Sequence, residues 1–382
     1  MTLNILCVHQ GYELYGSDRS FIRSLKAIRQ FAPSARVTVE LPKPGPLVAH
    51  VRPLADDVAV RDLGVVRGRD MRRLAVGTFG RILAAVPATV ARIDAFDVVY
   101  VNSVVVLDFV LAARFGRAAT VLHVREIPGR LASAVLGRCL RFSRATLVFN
   151  SHATRRAFGF GRRPAHVLHN GTDGFAGVPP PGVDADAFRV LLIGRINAWK
   201  GHAVLLDALT RLGQAERKAV EVRIVGDVFE DQSAHRERLV ALCRQHGLQQ
   251  TVQFHPFDAD PAPHYAWSDV VVVPSTSPEP FGNVAVEAMS AARPVIASAH
   301  GGIVEIVQDG VTGLLVTPRD AAALATALSS LIHDRPRAAA MGRAGYRRFT
   351  ATFTEAAYRA GLGAILRDVV ATRVRTRTSS AR

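Results

Sequence analysis

Cysteine is scarce: Cys7, Cys139 and Cys243 are the only three in 382 residues, odd in number and far apart. That excludes a disulfide framework and suits a reducing compartment. No Cys/His spacing of a metal site is present. Aromatics make up 7% of the chain and do not interleave with the basic residues, so the parts of a nucleic-acid platform are missing. A Gly-x-Gly-x-x-Gly dinucleotide fingerprint is absent. The longest apolar region, Val98 to Ala113, is broken by Asn102, Ser103 and Asp108, so no membrane-spanning segment is expected. The start, Met1-Thr2-Leu3-Asn4, runs straight into a strand without a basic region or cleavage site. A cytoplasmic chain without a signal peptide is the expectation.

Apolar residues at 49% and charged residues at 21% describe a folded chain with enough core for two domains. The net charge of +16 is the unusual bulk property. Residues 1–185 hold 25 Lys/Arg against 13 Asp/Glu, and the remainder holds 23 against 19. The excess therefore lies in the N-terminal half and suggests a polyanionic partner there: anionic lipid, a phosphate-bearing acceptor or nucleic acid. A solvated Arg-rich surface is the plainer reading.

Along the chain, strands alternate with helices in the rhythm of doubly wound parallel sheets, an α/β class. Strands are expected at Leu3–His9, Arg36–Leu41, Val58–Leu63, Asp97–Asn102, Ala119–Glu126 and Thr146–Ser151. Met71 to Val86 has an apolar stripe that includes Phe79, Ile82 and Leu83, with Arg67, Arg69, Arg72 and Arg73 at its start. Such a stripe packs on a sheet or rests on an anionic membrane surface. Pro87 is expected to end that helix and begin another. Residues 174–187, with Pro179-Pro180-Pro181, form the best linker and separate domains at 1–173 and 188–353. Further strands are expected at Phe188–Gly194, Val220–Gly226, Thr251–His255 and Val270–Val273, a last helix at about 354–370, and a basic, disordered tail at 371–382.

The most informative stretch runs from Asp269 to Ser298. Val270 to Val273 is a β-branched run suited to a strand covered on both faces. After Glu279-Pro280, a helix opens at Phe281-Gly282-Asn283-Val284, and Pro294 stops it before Val295-Ile296 resumes the sheet. A helix entry beyond the carboxyl end of a parallel strand is where an α/β protein holds anions. Glu279 precedes that entry, and Glu287 lies roughly 8 Å up the helix axis at ~1.5 Å per residue. A diphosphate seated between them would place one sugar near each carboxylate. Arg195 and Lys200, after the strand that opens the second domain, suit a diphosphate clamp. The Asp184–Asp186 and Asp258–Asp260 triplets sit in a linker and a Pro-rich loop and read as coincidental rather than metal-holding.

Glu279 and Glu287, within PSTSPEPFGNVAVEAMSAARPVIAS and followed by GGIVEIVQDGVTGLLV, resemble the signature of the family-four retaining glycosyltransferases (group 1). The resemblance implies a GT-B fold: two Rossmann-like domains facing a central cleft, with the C-terminal helix crossing back onto the first domain. It implies that Glu279 orients the transferred sugar, Glu287 the ribose, and His123 the sugar or acceptor. Arg195, Lys200 and the entry Phe281-Gly282-Asn283-Val284 would hold the diphosphate. The family's first loop carries a Gly pair facing the leaving phosphate, and here the pair is Gly16-Ser17. The residues Val167-Leu168-His169-Asn170-Gly171 resemble the turn that closes the first domain. Retention without a metal or other cofactor is implied, as is domain closure. The expected partners are a nucleoside-diphosphate sugar, a glycan or lipid-linked acceptor of the cell envelope, and an anionic membrane surface, met peripherally on the inner face of the plasma membrane. A GT-B sugar-nucleotide epimerase and a basic nucleic-acid-binding protein are the alternatives.

Overall fold

The computed structural model describes residues 2–66, 76–160, 164–175, 177–178, 187–228 and 233–380. The chain divides into two compact units, one of Met1–Asn170 with Glu355–Arg382 and the other of Gly171–Thr354.

In the first unit the order is β1 (Asn4–His9), α1 (Gly16–Phe31), β2 (Arg36–Leu41), α2 (Leu47–Val51), β3 (Asp57–Val60), α3 (Val76–Asp94), β4 (Val98–Asn102) and α4 (Leu107–Ala112). It continues with β5 (Ala119–Val124), α5 (Arg130–Phe142), β6 (Thr146–Phe149), α6 (His152–Ala157) and β7 (His166–Val167). Among the described residues the strands form one parallel sheet in the order β3-β2-β1-β4-β5-β6-β7. Alternation sorts its side chains. Ile5, Cys7, Val98 and Tyr100 pack on one face, and Leu6, Val8, Val99 and Val101 on the other.

The second unit runs β8 (Phe188–Ile193), α7 (His202–Thr210), α8 (Gln214–Ala219), β9 (Val220–Val225), α9 (Ser233–Gln245), β10 (Val252–His255), α10 (Ala262–Trp267) and β11 (Val270–Val273). It ends with α11 (Asn283–Ser290), β12 (Val295–Ser298), β13 (Gly313–Val316), α12 (Ala321–His333) and α13 (Arg335–Thr352). Its parallel sheet has the order β10-β9-β8-β11-β12-β13. The order reverses between β8 and β11, and ligands of such sheets bind beyond the carboxyl ends of the strands at that point.

A last helix, α14 (Glu355–Ser380), belongs to the first unit. Tyr358, Leu362 and Leu366, at four-residue spacing, bury against Ile5, Phe21 and Leu25. The helix continues past Val370, so residues 371–380 are helical and not a disordered tail. No Pro or Gly interrupts it there, and Arg373 pairs with Asp97 just ahead of β4 (3.2 Å).

Pro87 also departs from expectation, because it lies inside α3 instead of ending a helix. It costs one backbone hydrogen bond on an exposed side, while Ile93 (0% exposed) anchors the turns beyond it. The described part of the expected apolar stripe is split: Ile82 is buried and Val86 packs against the core, but Phe79 and Leu83 are exposed. Arg67, Arg69, Met71, Arg72 and Arg73 lie outside the described residues.

Candidate functional site

The ends of β8 and β11 are drawn together by backbone as much as by side chains. Asn197 Oδ1 accepts the N–H groups of Trp199 and Lys200, both at 3.1 Å, and curls the loop after β8. Thr276 N–H then donates to the Trp199 carbonyl (2.7 Å). Gly201 closes the loop in the left-handed region (φ +77°), where an added Cβ would stand 1.8 Å from the Pro274 carbonyl oxygen. Only glycine fits so close an approach. The loop so formed brings Lys200 Nζ to 2.7 Å from Glu279 Oε1, and Ser275 Oγ donates to the same oxygen (2.6 Å). The pair is nearly out of water, with side chains 17% and 7% exposed. Lys200 Nζ also stands 4.5 Å from the Trp199 ring centroid.

Glu279 is fixed from behind. Its backbone forms an isolated parallel bridge with Gly301, and Gly302 N–H donates to its carbonyl (2.7 Å). Gly301 adopts φ +70° and ψ −151°, with the Cβ position 2.3 Å from the Glu279 carbonyl oxygen. Beside Glu279, His300 Nε2–H donates to the Ser275 carbonyl (2.8 Å). Burial lowers the His300 pKa below its usual value, against the opposing pull of the Ser275 carbonyl and the Glu279 charge.

The helix α11 starts immediately after this loop, with Gly282 as its left-handed N-cap (φ +115°) and Asn283 and Val284 as its first residues. Backbone N–H groups of a first helical turn have no intrahelical acceptor and point outward. Phe281 is buried, edge-on to Phe353 (6.1 Å between centroids). Glu287 is half-buried and accepts from Tyr265 Oη (2.8 Å). Tyr265 is stacked by Phe175 (4.8 Å), and the buried Arg293 guanidinium donates to the Tyr265 and Ala266 carbonyls, both at 2.9 Å. Burial pulls the Arg293 pKa down to about 10.

Of the residues singled out from sequence, Glu279, Lys200, Phe281, Gly282, Asn283, Val284 and Glu287 therefore stand around one strand-end and helix-start in the second unit. Arg195 is half-buried at the beginning of the loop that ends in Lys200. In the first unit, Gly16 and Ser17 are the first residues of α1, and His123 lies near the carboxyl end of β5. His123 is wholly buried: Nδ1 bonds Tyr100 Oη (2.8 Å), and Nε2 has no partner. Burial, with the Arg125 charge added, holds its pKa well below the usual value. Glu126 Oε2 accepts the Arg125 backbone N–H (3.1 Å), while the Arg125 side chain turns to other partners. Its guanidinium donates to Asn102 Oδ1 (2.6 Å), Asn170 Oδ1 (2.5 Å) and Tyr358 Oη (2.9 Å). Asn102 Nδ2 in turn meets His9, which binds Asp18 at 2.8 Å.

Several of these groups escaped sequence reasoning. Ser275 sits inside the quoted signature, four residues before Glu279, and that spacing was its only signal. Tyr265, Trp199 and Tyr358 had none. Asp258 and Asp260 cap local turns, accepting the N–H groups of Asp260 and Ala262. Asp184 and Asp186 lie outside the described residues. Among the described residues no group of three or more His, Cys, Asp and Glu could hold a metal ion.

Comparisons with known proteins bear on the family and the fold. Residues 179–348 match the family described as Glycosyl transferases group 1. The chain is 35% identical over 228 residues to D-inositol 3-phosphate glycosyltransferase of Kineococcus radiotolerans, covering 53% of this chain and 52% of that protein. The chain thus spans about half the length of the curated relatives it matches. Among solved structures, HepE of Anabaena in complex with UDP and glucose superposes with a TM-score of 0.78 at 25% identity, over 95% of this chain and 99% of that one. Sucrose-phosphate synthase of Thermosynechococcus elongatus gives a TM-score of 0.76 at 24% identity, over 97% of this chain and 100% of that one. Over residues 179–348 the chain is similar to the group 1 glycosyltransferases, and the chain as a whole has the GT-B fold.

Proposed function

We propose that the chain transfers a hexose from a nucleoside-diphosphate sugar to a glycan or lipid-linked acceptor, with retention of configuration and without a metal ion. The observation that carries this reading is the Lys200–Glu279–Ser275 cluster set against the start of α11, with Glu287 further along the same helix. The diphosphate rests on the first-turn amides at Gly282, Asn283 and Val284, where the helix dipole favours negative charge. Lys200 and Arg195 neutralise it as the bond to the anomeric carbon breaks, the role a metal ion plays elsewhere. Glu287 accepts the ribose hydroxyls, and Tyr265 holds its carboxylate in place. Glu279 accepts hydroxyls of the sugar, and its fixed backbone keeps that contact from drifting. The departing phosphate takes the acceptor's proton, with attack on the same face of the sugar. His123 is assigned to positioning the sugar or the acceptor, since its buried Nε2 is the ring atom left for a ligand.

Relatives support the reading. HepE was solved with UDP and glucose, and the curated relatives are named for transfer to an inositol phosphate. With the C-terminal helix counted, the first unit holds 31 Lys/Arg against 13 Asp/Glu. A phosphate-bearing acceptor or an anionic inner membrane surface suits such a charge, and cell-envelope glycan or glycolipid synthesis suits both. Among the described residues, no helix is long and apolar enough to cross a membrane.

The test is to incubate the chain with UDP-, GDP- and ADP-hexoses and candidate acceptors, with and without EDTA. Nucleoside diphosphate and an α-configured product that survive the chelator are expected. A donor isomer formed without acceptor would make the chain an epimerase, and full loss of activity with EDTA would overturn the metal-free mechanism.

A further inference from the structure

The positive charge of this chain belongs entirely to the first unit, because the second holds 17 Lys/Arg against 19 Asp/Glu. One recess in the first unit runs against that trend. A cavity of about 560 Å3 opens beyond the carboxyl ends of β2 and β3, between them and α3. Glu40, Asp62 and Asp108 bring three carboxylates to it, against the guanidinium groups of Arg61 and Arg92. Its size is that of a small-molecule pocket, and its place is the strand-end side of an α/β sheet, where ligands bind.

Two buried carboxylates in its wall are incompletely satisfied. Glu40 is 1% exposed, and Oε1 alone takes both Arg61 Nε (2.8 Å) and Arg92 Nη2 (2.7 Å). Its other oxygen, Oε2, is buried without a partner. Asp108 is 4% exposed, and its Oδ1 has no hydrogen-bond partner of good geometry. Burial raises the Asp108 pKa against the pull of the Phe109 and Gly64 backbone N–H groups. Buried carboxylate oxygens without donors are unfavourable, and in native proteins they are normally satisfied by a partner, water or ligand.

The wall chemistry selects among ligands. The guanidinium groups spend Arg61 Nε and Arg92 Nε and Nη2 on Glu40 and keep their other N–H donors. The opposite charges of the wall nearly balance, so the recess suits a neutral ligand that both donates and accepts. Val60, Leu63 and Phe109 add apolar surface beside the acids. An ammonium group would satisfy the acids but leave that surface bare. Hydroxyls on a ring with a C–H face satisfy both. We propose that this recess is a subsite for the neutral polyhydroxyl ring of a saccharide or cyclitol, whose hydroxyls donate to Glu40 and Asp108. The proposal rests on the transferase reading, in which such a ring forms part of the acceptor.

Saturation-transfer NMR with methyl α-D-glucopyranoside, methyl α-D-mannopyranoside and myo-inositol tests it on the full chain. Ala88 is an exposed residue of the wall, and Ala88→Trp adds bulk there while leaving both buried acids unchanged in sequence. At least one ring should bind the native chain, and Ala88→Trp should weaken it tenfold or more. Glu40→Gln should weaken it as well, with circular dichroism confirming its fold. Binding of the glycosides alone assigns the subsite to a saccharide, and binding of myo-inositol alone to a cyclitol. No ring bound to the native chain, or equal binding by Ala88→Trp, would overturn the proposal. Calorimetry with UDP, GDP and ADP is read separately. A native chain that binds a ring but none of these nucleotides would sink the transferase reading and leave the subsite standing.

Discussion

Replacing Gly301 by alanine asks whether the backbone behind Glu279 is as tightly specified as its geometry indicates. At φ +70° and ψ −151°, Gly301 occupies a region essentially closed to other residues, a strain of about 1–3 kcal/mol. Space adds to the strain, because the new Cβ would lie 2.3 Å from the Glu279 carbonyl oxygen and 2.6 Å from its nitrogen. Both neighbours are backbone, so relief requires moving the loop that carries Glu279. A total of roughly 3 kcal/mol corresponds to a fall in Tm of about 6–12 °C for a unit of this size. A displacement of Glu279 by an ångström would cost about 10²-fold in turnover. Gly310→Ala is the control: its φ is also positive (+72°), but nothing lies within 4 Å of the added carbon. It should lose about 1–2 kcal/mol and keep its activity. Differential scanning calorimetry and donor turnover on both variants decide the matter. If Gly301→Ala melts and turns over like Gly310→Ala, Glu279 is not held in the way described.

Removing one partner of the Lys200–Glu279 pair should hurt more than its exposure suggests. Lys200→Met leaves a carboxylate 7% exposed with Ser275 as its remaining side-chain donor. A loss of about 3 kcal/mol is expected from the denaturant midpoint, and an unchanged midpoint would refute the pairing. Tyr265→Phe deletes one hydrogen bond to Glu287. Affinity for the nucleoside diphosphate should fall about fivefold to tenfold, roughly 1 kcal/mol, with kcat unchanged. Glu287→Ala should weaken it further, as read by calorimetry. Acid should destabilise the fold through its buried imidazoles. Burial lowers the His202 pKa to about 4, and burial also lowers that of His123. The unfolded chain protonates both near pH 6.5, so their contribution is complete above that pH and fades as pH falls toward 4. For His202 the loss is roughly 3 kcal/mol. The urea midpoint should therefore drop between pH 7.5 and pH 5, and His202→Leu should flatten the slope.

Much of the fold was readable because the strands are short β-branched runs bounded by turns. Arg36–Leu41 and Val270–Val273 have the boundaries that their sequences suggest. Helix α12 follows Asp320, whose side chain caps Ala323. Tertiary context decided the rest. Pro87 and the residues after Val370 follow packing and an ion pair that local propensity does not register. Helix α13 begins at Arg335, where Pro336 is accepted in the first turn and the Asp334 side chain caps it. At the site, the spacing of Glu279, Glu287 and Lys200 was visible in the chain. Their partners were not, since Lys200 meets Glu279 across 79 positions, and in the first unit Arg125 meets Tyr358 across 233. A network assembled from strand ends and a distant helix leaves no local pattern to read.

The most direct test is a crystal structure of the chain soaked with UDP, GDP and ADP in turn. At least one diphosphate should lie within hydrogen-bond reach of the Asn283 and Val284 amides and of Lys200 Nζ, with its ribose on Glu287. A nucleotide bound elsewhere, or a Glu287 carboxylate facing away from it, would contradict the account.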